Sequence, residues 1–149
     1  MNTQMVINIK KIIKPSIFCL AFFVIDRFFK ILSLHGKMFF YKNHGLSFSI
    51  PIPDQLFLYF YIFSFLILLI IVWQFVKILK NDYRQPMYEL QITGQELLMG
   101  GIISNLIDRL KFGFVIDYLN FYFFYNNLAD LMLIAGALLL LYKHLKKPS

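Results

Sequence analysis

The sequence is poor in charge. Asp, Glu, Lys and Arg make up 15% of its 149 residues, against about 25% in a typical soluble domain. It has one cysteine, Cys19, so an internal disulfide framework is excluded. That cysteine sits in an apolar run and reads as packing. A bulky Phe18 precedes it where a lipidated cysteine behind a leader needs a small residue. The chain lacks the CxxC, HExxH, GxSxG and GxxxxGK[ST] patterns, which removes the familiar zinc, redox, serine-elbow and phosphate-loop chemistries. His35, His44 and His144 fall in loops or tails without metal-ligand spacing. No internal repeat or low-complexity linker is visible.

What is abundant is grease. Apolar residues reach 59%, where a soluble domain has about 45–50%. A chain of this length buries only part of its surface, so the remaining class is an integral membrane protein. Because one span needs about 20 apolar residues, the sequence predicts four transmembrane helices in a single domain over 1–149. They are expected near 15–34, 56–76, 90–110 and 127–142. Pro15 fits a helix start, where its missing N–H costs nothing. No small-residue cleavage site follows the first run, which is expected to remain as a helix.

The formal net charge of +7 would suggest nucleic acid in a soluble protein, but the positions read differently. Lys10, Lys11 and Lys14 precede span one. Lys77, Lys80 and Arg84 lie between spans two and three, and Lys143, Lys146 and Lys147 follow or close span four. These clusters share one side, so the positive-inside rule puts both termini in the cytoplasm. No nucleic-acid partner is expected. Outside, two β-prone runs, 37–42 and 46–50, flank Asn43-His44-Gly45 and read as a small hairpin. The second outer loop, 111–126, is aromatic and is expected at the membrane surface, with Tyr122 and Tyr125 at the interface.

Ionisable residues inside spans are costly, so each needs an account. Asp26 and Lys30 stand at i and i+4 in span one beside Arg27 and read as a structural ion pair. Glu96, two turns into span three, is expected to snorkel or to hydrogen-bond locally. The dense cluster closes span three. Gly100 and Gly101 allow close helix contact. Asn105 and Asp108 share a face, and Arg109 follows. Asp117 comes next within Val115-Ile116-Asp117-Tyr118, and Asn127 with Asp130 opens span four. Asp108, Asp117 and Asp130 thus gather at the outer helix ends. Two neighbouring carboxylates tend to share one proton, giving a base to activate water and an acid to assist a leaving group. The residues alone leave three readings open: an aspartic hydrolase site, a Mg²⁺ or Ca²⁺ site, or a structural network.

These blocks together resemble bacterial lipoprotein signal peptidase, the signal peptidase II family. Gly100 to Arg109 resembles its GNxxDR block, Val115 to Tyr118 its VxDF block, and Asn127 to Asp130 its FNxAD block. Asn43 to Ser49 is similar to NxGAAFS, and Asp26 with Lys30 to DxxxK. All five follow the family's order and cover about 15–142. The resemblance implies a four-helix membrane aspartic endopeptidase, with Asp117 and Asp130 as the catalytic pair. Asn105, Asp108, Arg109 and Asn127 would support the site, and Asn43 and Gly45 would lie by the substrate. The implied substrate is a prolipoprotein carrying a diacylglyceryl cysteine, cut just before that residue. The implied setting is the bacterial inner membrane, with the site on the outer face. No metal or other cofactor is implied, and a monomer is favoured.

The chain departs from the family pattern at Leu46, Ser47, Ser104, Tyr118, Asn126 and Leu131, and its interval from Asp117 to Asp130 is short. The alternatives from other classes are a metal-dependent lipid head-group transferase and a non-enzymatic scaffold or transporter. Cleavage that persists in excess chelator separates the first from a peptidase. The absence of any cleavage by folded protein would favour the second.

Overall fold

A computed structural model describes residues 3–45, 53–80 and 87–146. Among these are four long helices: α1 (Thr3–Leu34), α2 (Phe57–Lys80), α3 (Tyr88–Phe112) and α4 (Leu128–Leu145). Each covers an expected span and overshoots at one or both ends. Pro15 lies inside α1 rather than at its start, which corrects the sequence reading. A proline removes one helical hydrogen bond but need not end a helix that is otherwise supported. A 3-10 turn, Asp54–Leu56, leads into α2.

The helices differ in what they show to their surroundings. α2 bears long apolar side chains on nearly every face, and Leu58, Phe63, Leu66 and Trp73 are all at least half exposed. Water would not tolerate so large an apolar surface; lipid does. Among the described residues, two helices, Phe57–Leu79 within α2 and Leu128–Leu145, are long and apolar enough by length and composition to cross a membrane. α1 and α3 carry more ionised residues, and three of these are turned fully inward. Asp26, Lys30 and Asp108 are completely buried.

α3 is the central helix and packs most extensively on α4, then on α1 and α2. Glycine sets its approach to α4. A Cβ added at Gly101 would stand 2.6 Å from the Ala129 carbonyl oxygen, and one at Gly136 2.7 Å from the Gly94 oxygen. Nothing larger fits between these backbones. Leu97 of α3, Met132 of α4 and Cys19 of α1 form a core cluster where the three helices meet. Glu96 neither snorkels nor bonds within its own helix. Its Oε1 accepts a hydrogen bond from Ser16 Oγ of α1 at 2.5 Å. The 3.6-residue repeat turns it toward a neighbour with a donor at the same depth.

Strands of two or three residues finish the fold. β1 (Tyr41–Asn43) pairs antiparallel with β2 (Val115–Asp117), Asn43 opposite Val115 and Tyr41 opposite Asp117. Only one arm of the expected hairpin within 37–50 is described, as β1. That arm finds its partner more than 70 residues away, and the other arm lies outside the described residues. A second pair, β3 (Leu119–Asn120) with β4 (Tyr125–Asn126), folds the second loop into a tight hairpin. Its turn holds Tyr122 at φ 67°, with the rings of Tyr122 and Phe123 almost wholly exposed.

Candidate active site

The end of α3 sets the first part of the site. Gly113 adopts φ 77° and its N–H bonds back to the Arg109 carbonyl, a left-handed stop that only glycine takes without strain. The chain then turns straight into β2, which carries Asp117. All three β2 residues are buried. Asn127 caps α4, its side-chain oxygen accepting from the Asp130 N–H at 3.0 Å. Asp130 thereby sits in the first turn of α4, where a helix N-terminus favours negative charge.

Amide side chains hold both carboxyls. Asn43 Nδ2 donates to Asp117 Oδ2 at 2.8 Å, and Asn127 Nδ2 donates to Asp117 Oδ1 at 2.5 Å. Asn105 Nδ2 donates to Asp130 Oδ1 at 2.9 Å. Asn127 touches both acids, one through its amide nitrogen and the other through its oxygen. The structure therefore brings Asp117, Asp130, Asn43, Asn105 and Asn127 into one group, as the sequence blocks suggested. Burial pushes the Asp117 carboxyl up to about 6, and the nearby Asp130 charge adds to the rise. The hydrogen bonds from Asn43 and Asn127, and the charge of Lys30, act in the opposite sense. A carboxyl poised there holds or releases a proton in the physiological range.

Arg109 closes one side. Its Nη2 donates to the Gly45 carbonyl at 3.0 Å, and its guanidinium lies 4.9 Å from the centre of the Phe60 ring. Gly45 N–H in turn donates to Asn43 Oδ1 at 2.8 Å. Arg109 and Asn105 also line a cavity of about 120 Å³ walled by Phe60, Ile67 and Leu133. A mostly apolar cavity thus opens beside Asn105, whose amide holds Asp130. Leu46 and Ser47 lie outside the described residues.

Asp108 does not join the pair. It accepts from Arg27 Nη1 at 2.5 Å and lies 2.9 Å from Lys30 Nζ. Lys30 is also 3.0 Å from Asp26. The result is a quartet of two cations and two anions beneath the site, fully buried except for Arg27, which is partly exposed. Asp26 reaches farther than an intrahelical pair. Its Oδ1 accepts from Ala129 N–H at 3.1 Å and from the Tyr118 hydroxyl at 3.0 Å, and its Oδ2 from Ser104 Oγ at 2.5 Å. The Tyr118 hydroxyl accepts from Leu128 N–H at 3.2 Å. Sequence reasoning listed Tyr118 and Ser104 only as departures from a pattern. Both carry a hydroxyl where the pattern has none, and that hydroxyl was the available signal. Among the described residues, no three Asp, Glu, His or Cys groups stand close enough together to hold a metal ion.

Comparison with known proteins agrees with this arrangement. The family model described as signal peptidase (SPase) II matches residues 9–146. The chain is 35% identical over 101 residues to a lipoprotein signal peptidase of Halothermothrix orenii, covering 67% of this chain and 63% of that one. It is 39% identical over 75 residues to a lipoprotein signal peptidase of Burkholderia multivorans, covering 47% and 43%. The matched stretch is thus under two thirds of the length of these relatives. A solved bacterial membrane enzyme shares the fold, with TM-score 0.66 and 23% identity over 90% of this chain and 92% of that one. Helices of this apolarity in this fold place the protein in a membrane. The match along nearly its whole length, over the elements that build this site, makes the chain a member of the signal peptidase II family.

Proposed function

We propose that this protein is an aspartic endopeptidase that removes the signal peptide from prolipoproteins. It cuts just before a cysteine that already carries diacylglyceryl. Asp117 and Asp130 share one proton. The ionised member takes a proton from water as the water attacks the scissile carbonyl. The protonated member polarises the carbonyl oxygen and then protonates the leaving amine. Asn43, Asn105 and Asn127 hold the two carboxyls in register. Arg109 fixes Gly45 and the outer loop beside the substrate, and the cavity at Phe60 and Leu133 receives an apolar part of it. Asp108 supports the site from below through Arg27 and Lys30. The reaction needs no metal or other cofactor.

All four helices cross the bacterial inner membrane, α1 and α3 with their charges turned inward. Both termini are cytoplasmic, and the site opens at the outer face. A substrate whose lipid tails stay in the bilayer needs its scissile bond cut at that edge. The protein acts as a monomer among membrane lipids. The observation that carries the reading is the pair of amide-held carboxyls with Asp117 poised near 6.

The test is cleavage of a diacylglyceryl-modified precursor by purified protein. Asp117→Asn and Asp130→Asn are each expected to abolish product while the protein stays folded. Retained cleavage in either variant would sink the assignment.

A further inference from the structure

Lys30 is fully buried, and the proposed chemistry makes no direct use of it. By sequence it belongs to an ion pair inside one helix. In the fold it reaches the catalytic pair through one intermediary. Lys30 Nζ donates to Asn105 Oδ1 at 2.9 Å, and Asn105 Nδ2 donates to Asp130 Oδ1 at 2.9 Å. The two ends of a carboxamide are not equivalent, because the oxygen only accepts and the nitrogen only donates. An ammonium group only donates. With Lys30 on one side, the Asn105 oxygen must face it, and the NH₂ must face Asp130.

We propose that Lys30 is a positioning residue that locks the Asn105 amide so that it presents a donor, and not an acceptor, to Asp130. This rests on the reading of Asp117 and Asp130 as the catalytic pair. Without the ammonium group the amide is free to turn over. Its oxygen would then oppose the Asp130 carboxyl oxygen, and the carboxyl would lose the contact that sets its rotation. Lys30 also neutralises Asp26 and Asp108, so its charge and its donor role must be separated.

Lys30→Gln and Lys30→Met lose the same charge, but only glutamine can still donate to Asn105. Precursor cleavage and thermal melting are measured for both. Each is also made with Asp26→Asn, which restores the balance of the quartet in case a single variant does not fold. The glutamine variant is expected to keep a kcat about 10- to 100-fold above that of the methionine variant, as removal of one buried hydrogen bond implies. KM is expected to stay within about threefold, since the effect lies on the reacting group and not on substrate capture. Equal losses in the two variants, whether in kcat or by joint failure to fold, would overturn the proposal. They would place the whole effect of Lys30 on the ion quartet. If wild type cuts the precursor and Asp117→Asn does not, the peptidase reading stands whatever Lys30 shows.

Discussion

At the scale of single residues, the most informative group is Asp117. Its carboxyl is fully buried and titrates near 6, above the ordinary value of 3.8. A folded-state pKa above the unfolded one means that folding favours the protonated form. Stability contributed by that form is present below about pH 4 and declines as pH rises toward 6, then levels off. Asp117→Asn removes the ionisation altogether. The variant is expected to melt at or above the wild-type temperature at pH 7.5, and to lose that advantage at pH 4. A lower melting temperature at both pH values would show that the Asn43 and Asn127 contacts outweigh the buried charge. In the proposed mechanism the same titration shapes catalysis. The one-proton state of the pair thins as pH climbs past about 6, so kcat is expected to fall on the alkaline side. Rates measured from pH 5 to 9 check this.

At the scale of elements, the contact between α3 and α4 decides whether the two acids meet. Gly101 faces the Ala129 carbonyl, one residue before Asp130, with no room for a methyl group. Gly101→Ala is expected to cost roughly 1–3 kcal/mol through overpacking and to lower cleavage more than a distant change of equal stability cost. Gly36, with nothing near its absent Cβ but a φ of 71°, is a fitting comparison. This scale also shows how far sequence could reach. The long apolar runs displayed four helices, and Asn105 with Asp108 announced a polar face on α3. The pairing of β1 with β2 was hidden, because three residues pairing across more than 70 leave no local pattern. Pro15 misled because proline marks a helix start only when the preceding turn is absent. The Asp26–Lys30 spacing revealed its own helix and said nothing of Asn105, Ala129 or Tyr118. Contacts between helices are set by depth and rotation, which a linear pattern does not encode.

At the scale of the whole molecule, charge governs orientation. Basic residues gather at the start of α1, the end of α2 and the end of α4, while the carboxyl pair lies at the opposite helix ends. On a Cys19→Ser background, a cysteine at exposed position 37 is expected to react with an impermeant maleimide on intact spheroplasts. A cysteine at exposed position 146 should react only after the membrane is opened. Reversed labelling would turn the protein over and move the proposed site to the cytoplasm. The solved membrane enzyme of similar fold has 23% identity to this chain.

The bond from Asp26 to the start of α4 has a consequence in time. A chain emerging from the ribosome delivers α1 first and α4 last. Until α4 arrives, Asp26 lacks the Ala129 N–H, Asn105 lacks Asp130, and Asp117 lacks Asn127. The proposed reactive pair cannot form in an intermediate that stops before Asn127, because its second carboxyl and the clasp that seats it lie at the start of α4. A fragment that stops before α4 therefore lacks one of the two acids proposed for catalysis and is expected to be inert.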